Sequence, residues 1–245
     1  MRDLKIGIIT QARVGSSRLP GKTLLKIGEE TLLEIHFKRL LESGLPVFLA
    51  TTTESEAFQL IEIANKLSIP SKIGSLDDVL SRYYLCAKEF HLDVVIRVTS
   101  DCPLISSELI NAGLDEYLKQ ENSENVYYSN TQNRFFPRGL DFEIFSFKLL
   151  EMAYLNCLEM RYREHVTPYL YSNVSNLIKM KTMTYDGVDM SSWRICVDTK
   201  EDFKLIECLI NNFKLQKMNY KELVEVLNKN DELKKINLTI QQKEI

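Results

Sequence analysis

The chain has 245 residues, 44% of them hydrophobic and 27% charged, with a formal charge of −3, enough to bury a full core and ordinary for a globular protein. Its 31 basic residues are outweighed by 34 acidic ones, which argues against a nucleic-acid partner. The first apolar run is too short for a signal peptide and no segment is long enough to cross a membrane, so the expected location is the cytoplasm with no membrane partner.

The five cysteines form no CxxC pair and read as reduced, mostly buried thiols. Three histidines without paired ligand spacing argue against a zinc site. In chain order, apolar runs over 5–10, 47–50 and 94–98 alternate with helical patterns over 31–43, 54–67 and 76–90. Two of those helices open on apparent capping boxes, Thr53 with Glu56 and Ser75 with Asp78. The apolar runs are rich in β-branched residues and lack in-out alternation, as strands covered on both faces do. This predicts an α/β fold with a parallel, doubly wound sheet.

Further on, the pattern predicts a helix over 106–121, strands over 126–130 and 141–145, and helices over 146–157 and 161–171. Strands near 178–184 and 194–197 follow, then a helix over 200–212 capped by Thr199. The stripe Phe147, Leu150, Met152, Tyr154, Leu155 and Leu158 reads as core or as a dimer face. The polar tail after Asn230 reads as a docked helix or a frayed end. With no repeat or linker, residues 1–245 read as one domain.

The stretch GSSRLPGKT, residues 15–23, nearly matches the phosphate-binding pattern GxxxxGK[ST]. Five residues separate Gly15 from Gly21, however, and Pro20 lacks an amide donor. The physical task can still be the same. A loop leaving a first parallel strand lies where such sheets bind ligands. Gly15 allows close backbone approach, Ser16 can donate, and Arg13, Arg18 and Lys22 can neutralise a polyphosphate. Asp101, at the end of the strand 94–98 and before Pro103, is placed to hold a hard cation. Its other reading, a cap for the helix near 106, is better filled by Ser106 or Ser107. Arg82 either faces a ligand or pairs with Asp78 at helical spacing.

QARVGSSRLPGK (11–22) resembles the signature of the cytidylyltransferases that make CMP-activated sugars, including the CMP-Kdo and acylneuraminate synthetases. The blocks GSLDDVLSRYY (74–84), RVTSDCPLI (97–105), FPRGLDFEIFS (136–146) with REHVTPY (163–169), and WRICVDTKEDF (193–203) follow in order. Together they resemble the SpsF-like, spore-coat polysaccharide branch of that family. The resemblance implies a Rossmann-like nucleotide-diphospho-sugar transferase (GT-A-like) fold, with a mixed, mainly parallel sheet flanked by helices. It implies a nucleotide half over about 1–105, an acceptor half over about 106–212 and a C-terminal helical tail over 213–245. The implied activity is Mg2+-dependent transfer of CMP from CTP to a sugar acid or phosphorylated acceptor, with a homodimer as one option.

By the same resemblance, Gln11, Ala12, Arg13, Gly15, Ser16, Arg18, Lys22, Asp78, Arg82 and Ser100 bind the nucleotide, Arg13 and Lys22 being catalytic. Asp101 and Asp198 hold the metal; Arg138, Asp141, Glu143, Glu164 and His165 meet the acceptor. The related CMP-Kdo synthetases carry an H-x-S-G-T-x-R type pattern where this chain has Asp77, Asp78 and Arg82, which leaves the base open. Another triphosphate, a GT-A-type glycosyltransferase and a catalytically silent nucleotide-binding partner are the competing readings.

Overall fold

The computed structural model describes residues 3–173 and 176–242. The first half runs β1 (Ile6–Gln11), a hairpin of β2 (Lys26–Ile27) and β3 (Glu30–Thr31), α1 (Leu32–Leu41), β4 (Val47–Thr52), α2 (Ala57–Lys66), β5 (Ser71–Gly74), α3 (Val79–Glu89) and β6 (Val94–Thr99). Then come α4 (Ser107–Leu118), β7 (Val126–Ser129), β8 (Glu143–Ser146), α5 (Phe147–Asn156), α6 (Met160–His165), α7 (Pro168–Tyr171), β9 (Lys179–Thr182), α8 (Lys200–Phe213) and α9 (Tyr220–Lys229).

Seven strands form one sheet in the order β5-β4-β1-β6-β8-β7-β9. Every neighbouring pair is parallel except the two made by β8, which runs against β6 and β7. Side chains alternate between two apolar layers. Val47 and Leu49 of β4 join one layer and Phe48 and Ala50 the other; Val94, Ile96 and Val98 of β6 likewise oppose Val95. α1, α2, α4, α8 and α9 cover the first face, and α3 and α5 the second. Both faces are therefore apolar, which is why the strand sequences show no alternation.

Several local expectations need correction. Thr53 does not cap α2: the chain turns through 54–56, and Glu56 stands at the N-cap with no side-chain bond to the helix's free N–H groups. At α3 the cap is Asp78, whose Oδ1 accepts from Ser81 N at 2.9 Å, while Ser75 Oγ accepts from Asp78 N. The expected helix 161–171 is split at Val166, and the expected strand 194–197 makes only an isolated bridge, Arg194 with Arg138. β8 begins at Glu143, so Asp141 precedes it rather than sharing a strand with it. The hairpin and β5 went unread because two to four residues carry too little periodicity. In the tail, α9 forms behind a capping box of Asn219 and Glu222. Among the described residues, no helix is long and apolar enough to cross a membrane.

Candidate functional site

Gln11 and Thr99 pair at the ends of β1 and β6, so the loops that follow leave the sheet side by side. In the first loop Gly21 is the glycine the backbone requires: its φ is +67° and its N–H donates to Val14 O at 3.1 Å, closing the loop. Gly15, by contrast, has room for a side chain, since an added Cβ would meet only Glu54 Oε1 at 3.7 Å. Ser16 Oγ accepts from Leu19 N at 3.4 Å. Arg13 is exposed and makes no hydrogen bond or ion pair among the described residues.

Lys22 sits in a cage of oxygens. Its Nζ donates to Asp198 Oδ1 and Val197 O, both at 2.9 Å, and to Asp101 Oδ2 at 3.3 Å. Burial alone would lower its pKa, but the two carboxylates outweigh burial and raise it. Asp101 is held below the usual carboxylate range: burial opposes this, and the Lys22 charge and the Thr99 hydroxyl prevail. The second Asp198 oxygen, Oδ2, accepts from Arg194 Nη2 at 2.7 Å and lies 3.1 Å from Arg18 Nη2. Asp101 and Asp198, 97 positions apart in sequence, thus flank one cation-sized position in which the Lys22 ammonium stands.

That donor set fits a hard divalent ion. Mg2+ takes one or two carboxylates and completes its shell with phosphate oxygens and water. No group of three or more His, Cys, Asp or Glu that could cage a metal occurs among the described residues, so ligand oxygens would have to finish the shell. His36, fully buried, supports this corner from below. Its Nδ1 lies 2.8 Å from Cys102 O, next to Asp101, and its Nε2 lies 2.9 Å from Thr10 Oγ1.

The remaining nucleotide candidates divide. Ala12 is buried, its N–H donating to Ala50 O and its carbonyl accepting from Thr51 Oγ1. Ser100 is buried and donates its N–H to Gln11 O at 3.3 Å. Arg82 is 1% exposed and reaches Gln11 Oε1 and Ser75 O, both at 3.0 Å, with no ion pair to Asp78. Asp78 instead accepts from Arg163 Nε and Nη2 at 2.9 and 2.7 Å. The i,i+4 pair is therefore replaced by a contact 85 positions away, and Asp78 is a helix cap and strut.

Beside the two aspartates opens a cavity of about 320 Å³, into which Arg138, Asp141, Glu143, His165 and Gln242 face. Arg134 holds Asp141 through two bonds of 2.6 and 2.9 Å, and Glu143 is bound by Arg97 and Tyr127. Both carboxylates are thereby neutralised. Arg138 lines the same cavity, and its guanidinium has no hydrogen bond or ion pair among the described residues. Its backbone is fixed: Arg138 N donates to Trp193 O at 2.9 Å, and Ile195 N to Arg138 O at 2.7 Å. Gly139 permits this approach, since at φ +111° a Cβ would fall 2.7 Å from Ile195 C and Cys196 N. Glu164 is exposed and does not line the cavity, which separates it from the other acceptor candidates.

Val166 has φ +71° and ψ −58°, and Thr167 N donates to His165 O at 2.9 Å. This is a γ-turn with positive φ, a strained form for a β-branched residue. It breaks the helix and leaves His165 and Thr167 both lining the cavity. Burial lowers the His165 pKa, which favours the neutral ring. A larger cavity of about 610 Å³ lies among β2, β3, α1 and the turn after α8, and holds none of the motif residues.

Residues 7–244 match the cytidylyltransferase family. The chain belongs to that family. It is 39% identical, over 97% of its length and 96% of the relative's, to an uncharacterised protein of Methanocaldococcus jannaschii. It is 28% identical to the spore coat polysaccharide biosynthesis protein SpsF of Bacillus subtilis, over 91% of this chain and 93% of that one. Among solved structures, a cytidylyltransferase from Leptospira borgpetersenii superposes with a TM-score of 0.90 at 35% identity, covering 98% of this chain and 100% of the other.

In this cytidylyltransferase, Asp202 is legible in sequence as the partner of the Thr199 cap, as the capping box shows, and His36 as a structural residue; what spacing does not show is that these and two arginines hold the candidates. Arg194, Asp202, Arg163 and His36 each bind a motif carboxylate or its neighbouring backbone. The two arginines also gave a signal, Arg194 in the WR pair and Arg163 in the REH block, but a partner 85 positions away is not readable from spacing.

Proposed function

We propose that this cytidylyltransferase uses Mg2+ to transfer CMP from CTP to a small sugar acid or phosphorylated acceptor, releasing pyrophosphate, in surface polysaccharide synthesis. The observation that carries the reading is the convergence of Asp101 and Asp198 on one cation position at the end of the basic loop. Family membership supports the reaction type, and the name of the spore-coat relative supports the pathway class. The enzyme would work in the cytoplasm. A homodimer would cover Leu155, Leu158 and Met160, apolar side chains exposed between α5 and α6.

Arg13 and Arg18 bind the β- and γ-phosphates, with the Ser16 hydroxyl and the Gly15 amide beside them. Lys22 leaves its cage for the phosphates as the site fills. Gln11, held by Arg82 and near Ser100, presents its remaining amide to the base; Ala12 shapes that wall. Asp101 and Asp198 would hold Mg2+, which would supply charge neutralisation at the α-phosphate and lower the pKa of the attacking oxygen. Arg138 receives the anionic group of the acceptor, His165 positions its hydroxyls, and Asp141 and Glu143 keep the pocket neutral through their own arginines. Phosphoryl transfer needs placement and charge more than covalent help, so no nucleophilic side chain is required.

The test is pyrophosphate release from CTP and Mg2+ across a panel of sugar acids and sugar phosphates. Release should depend on one acceptor class, and Asp101→Ala or Asp198→Ala should cut it by about 10²–10³ with the fold retained. Near-normal turnover in either variant would remove that carboxylate from the mechanism.

A further inference from the structure

Asp198 has two oxygens and three cationic neighbours: Arg194 and Arg18 meet one oxygen and Lys22 the other. We propose that Arg194 is a positioning residue for Asp198, and that the C-terminal strap over residues 231–242 is its brace, acting through Asn237 and Gln242. The inference rests on the reading above, in which Asp198 holds the metal.

A guanidinium is a rigid planar fork, so two fixed bonds determine where its remaining N–H groups point. Arg194 Nε donates to Asp202 Oδ1 at 2.9 Å and Nη2 to Asp202 Oδ2 at 3.2 Å, which sets the plane. Nη2 then meets Asp198 Oδ2 at 2.7 Å, leaving Oδ1 turned to the cage. Asp202 is itself immobilised. It is fully buried and accepts from the N–H groups of Asp198 and Thr199, both at 3.0 Å, and from Asn237 Nδ2 at 2.8 Å. One carboxylate therefore caps α8, anchors Arg194 and fixes the backbone of Asp198.

The strap follows the segment 193–198 closely. Lys234 Nζ lies 5.1 Å over the Trp193 ring. Asn237, 4% exposed, donates to Arg194 O at 3.0 Å as well as to Asp202. Gln242 Oε1 accepts from Arg194 Nη1 at 2.6 Å, and Gln242 also lines the acceptor cavity. The strap thus touches both ends of the Arg194–Asp202 pair and one wall of the pocket, where a polar tail would otherwise need no such contacts. Asn237 secures the carboxylate end of the brace and Gln242 the guanidinium end.

The test uses Gln242→Leu, Gln242→Glu and Arg194→Lys in the full chain, with Mn2+ as the probe and its binding read by electron paramagnetic resonance with and without CTP. Gln242 is exposed, so its substitution leaves folding intact. Gln242→Leu and Arg194→Lys should each weaken Mn2+ binding in the CTP complex by about tenfold, the lower end of what is lost when a residue orienting a metal ligand is removed. Gln242→Glu keeps an acceptor for Arg194 and should stay within about twofold of wild type. A second readout needs no ligand: with arginine 15N-labelled, the Arg194 Nη1 protons, one of which Gln242 Oε1 accepts, should exchange slowly in wild type and quickly in Gln242→Leu. Unchanged Mn2+ affinity in Gln242→Leu and Arg194→Lys overturns the positioning role. Slow Arg194 exchange in wild type, together with Mn2+ binding that Asp198→Ala leaves unchanged, would instead remove Asp198 from the metal site, and the positioning role with it.

Discussion

In the proposed reading, Lys22 and a divalent ion compete for the same place. Its ammonium stands between Asp101 and Asp198, within 2.9–3.3 Å of three oxygens, so an entering ion must displace it or share the cage against charge repulsion. Lys22→Met should therefore bind Mn2+ without nucleotide more tightly than wild type, by a factor of about ten or about 1.4 kcal/mol, while losing turnover. Weaker Mn2+ binding in that variant would show the lysine to be part of the cage rather than its competitor. His36 is the other residue with a measurable consequence. Burial lowers its pKa from 6.5 to about 4, so the folded state binds fewer protons than the unfolded chain between those values. The stabilisation is present above pH 6.5 and is lost as pH falls toward 4, about 3 kcal/mol in all. Urea midpoints between pH 7 and pH 4 should fall more steeply for wild type than for His36→Gln, which does not titrate; parallel slopes would contradict this.

At the scale of elements, Arg163 joins the two halves of the chain. Besides Asp78 at the start of α3, it donates to Tyr154 O and Cys157 O at the end of α5, at 3.0 and 2.8 Å. Arg163→Met leaves the Asp78 carboxylate and two carbonyls without their donor and should cost about 2 kcal/mol. Asp78→Asn should then add little in the double variant, because both changes remove the same contact. Additive losses in chemical denaturation would contradict the pairing. The same region shows where element reading fails. Residues 161–171 carry helical spacing, and Pro168, first residue of α7, is the local signal for a break between α6 and α7; the form of the break has no such signal, since valine is among the residues least suited to φ +71°. The turn is imposed by tertiary packing, with Val166 fully buried beside two cavity-lining neighbours. The isolated bridge at 194 has a related cause: the segment 193–197 is pinned by Arg138 and the strap instead of by a sheet neighbour.

For the whole molecule, the sheet was legible because long, doubly covered strands leave unbroken apolar runs, as in β1, β4 and β6. The reversal of β8 was not, because strand direction is set by partners and not by composition. The aspartates and the basic loop were legible as motifs in register. The braces behind them were not, since Arg194, Asp202 and Gln242 come together only when the tail returns across the end of the sheet. The central claim is that this assembly binds CTP with a divalent ion, and thermal unfolding with CTP, GTP, UTP and ATP, each with and without Mg2+, tests it most directly. At 100 times Kd a ligand that binds only the native state adds about 2.7 kcal/mol, or about 5–10 °C for a chain of this size. The predicted result is a Mg2+-dependent rise of that order with CTP, larger than with the other three. No rise with any triphosphate would contradict the account.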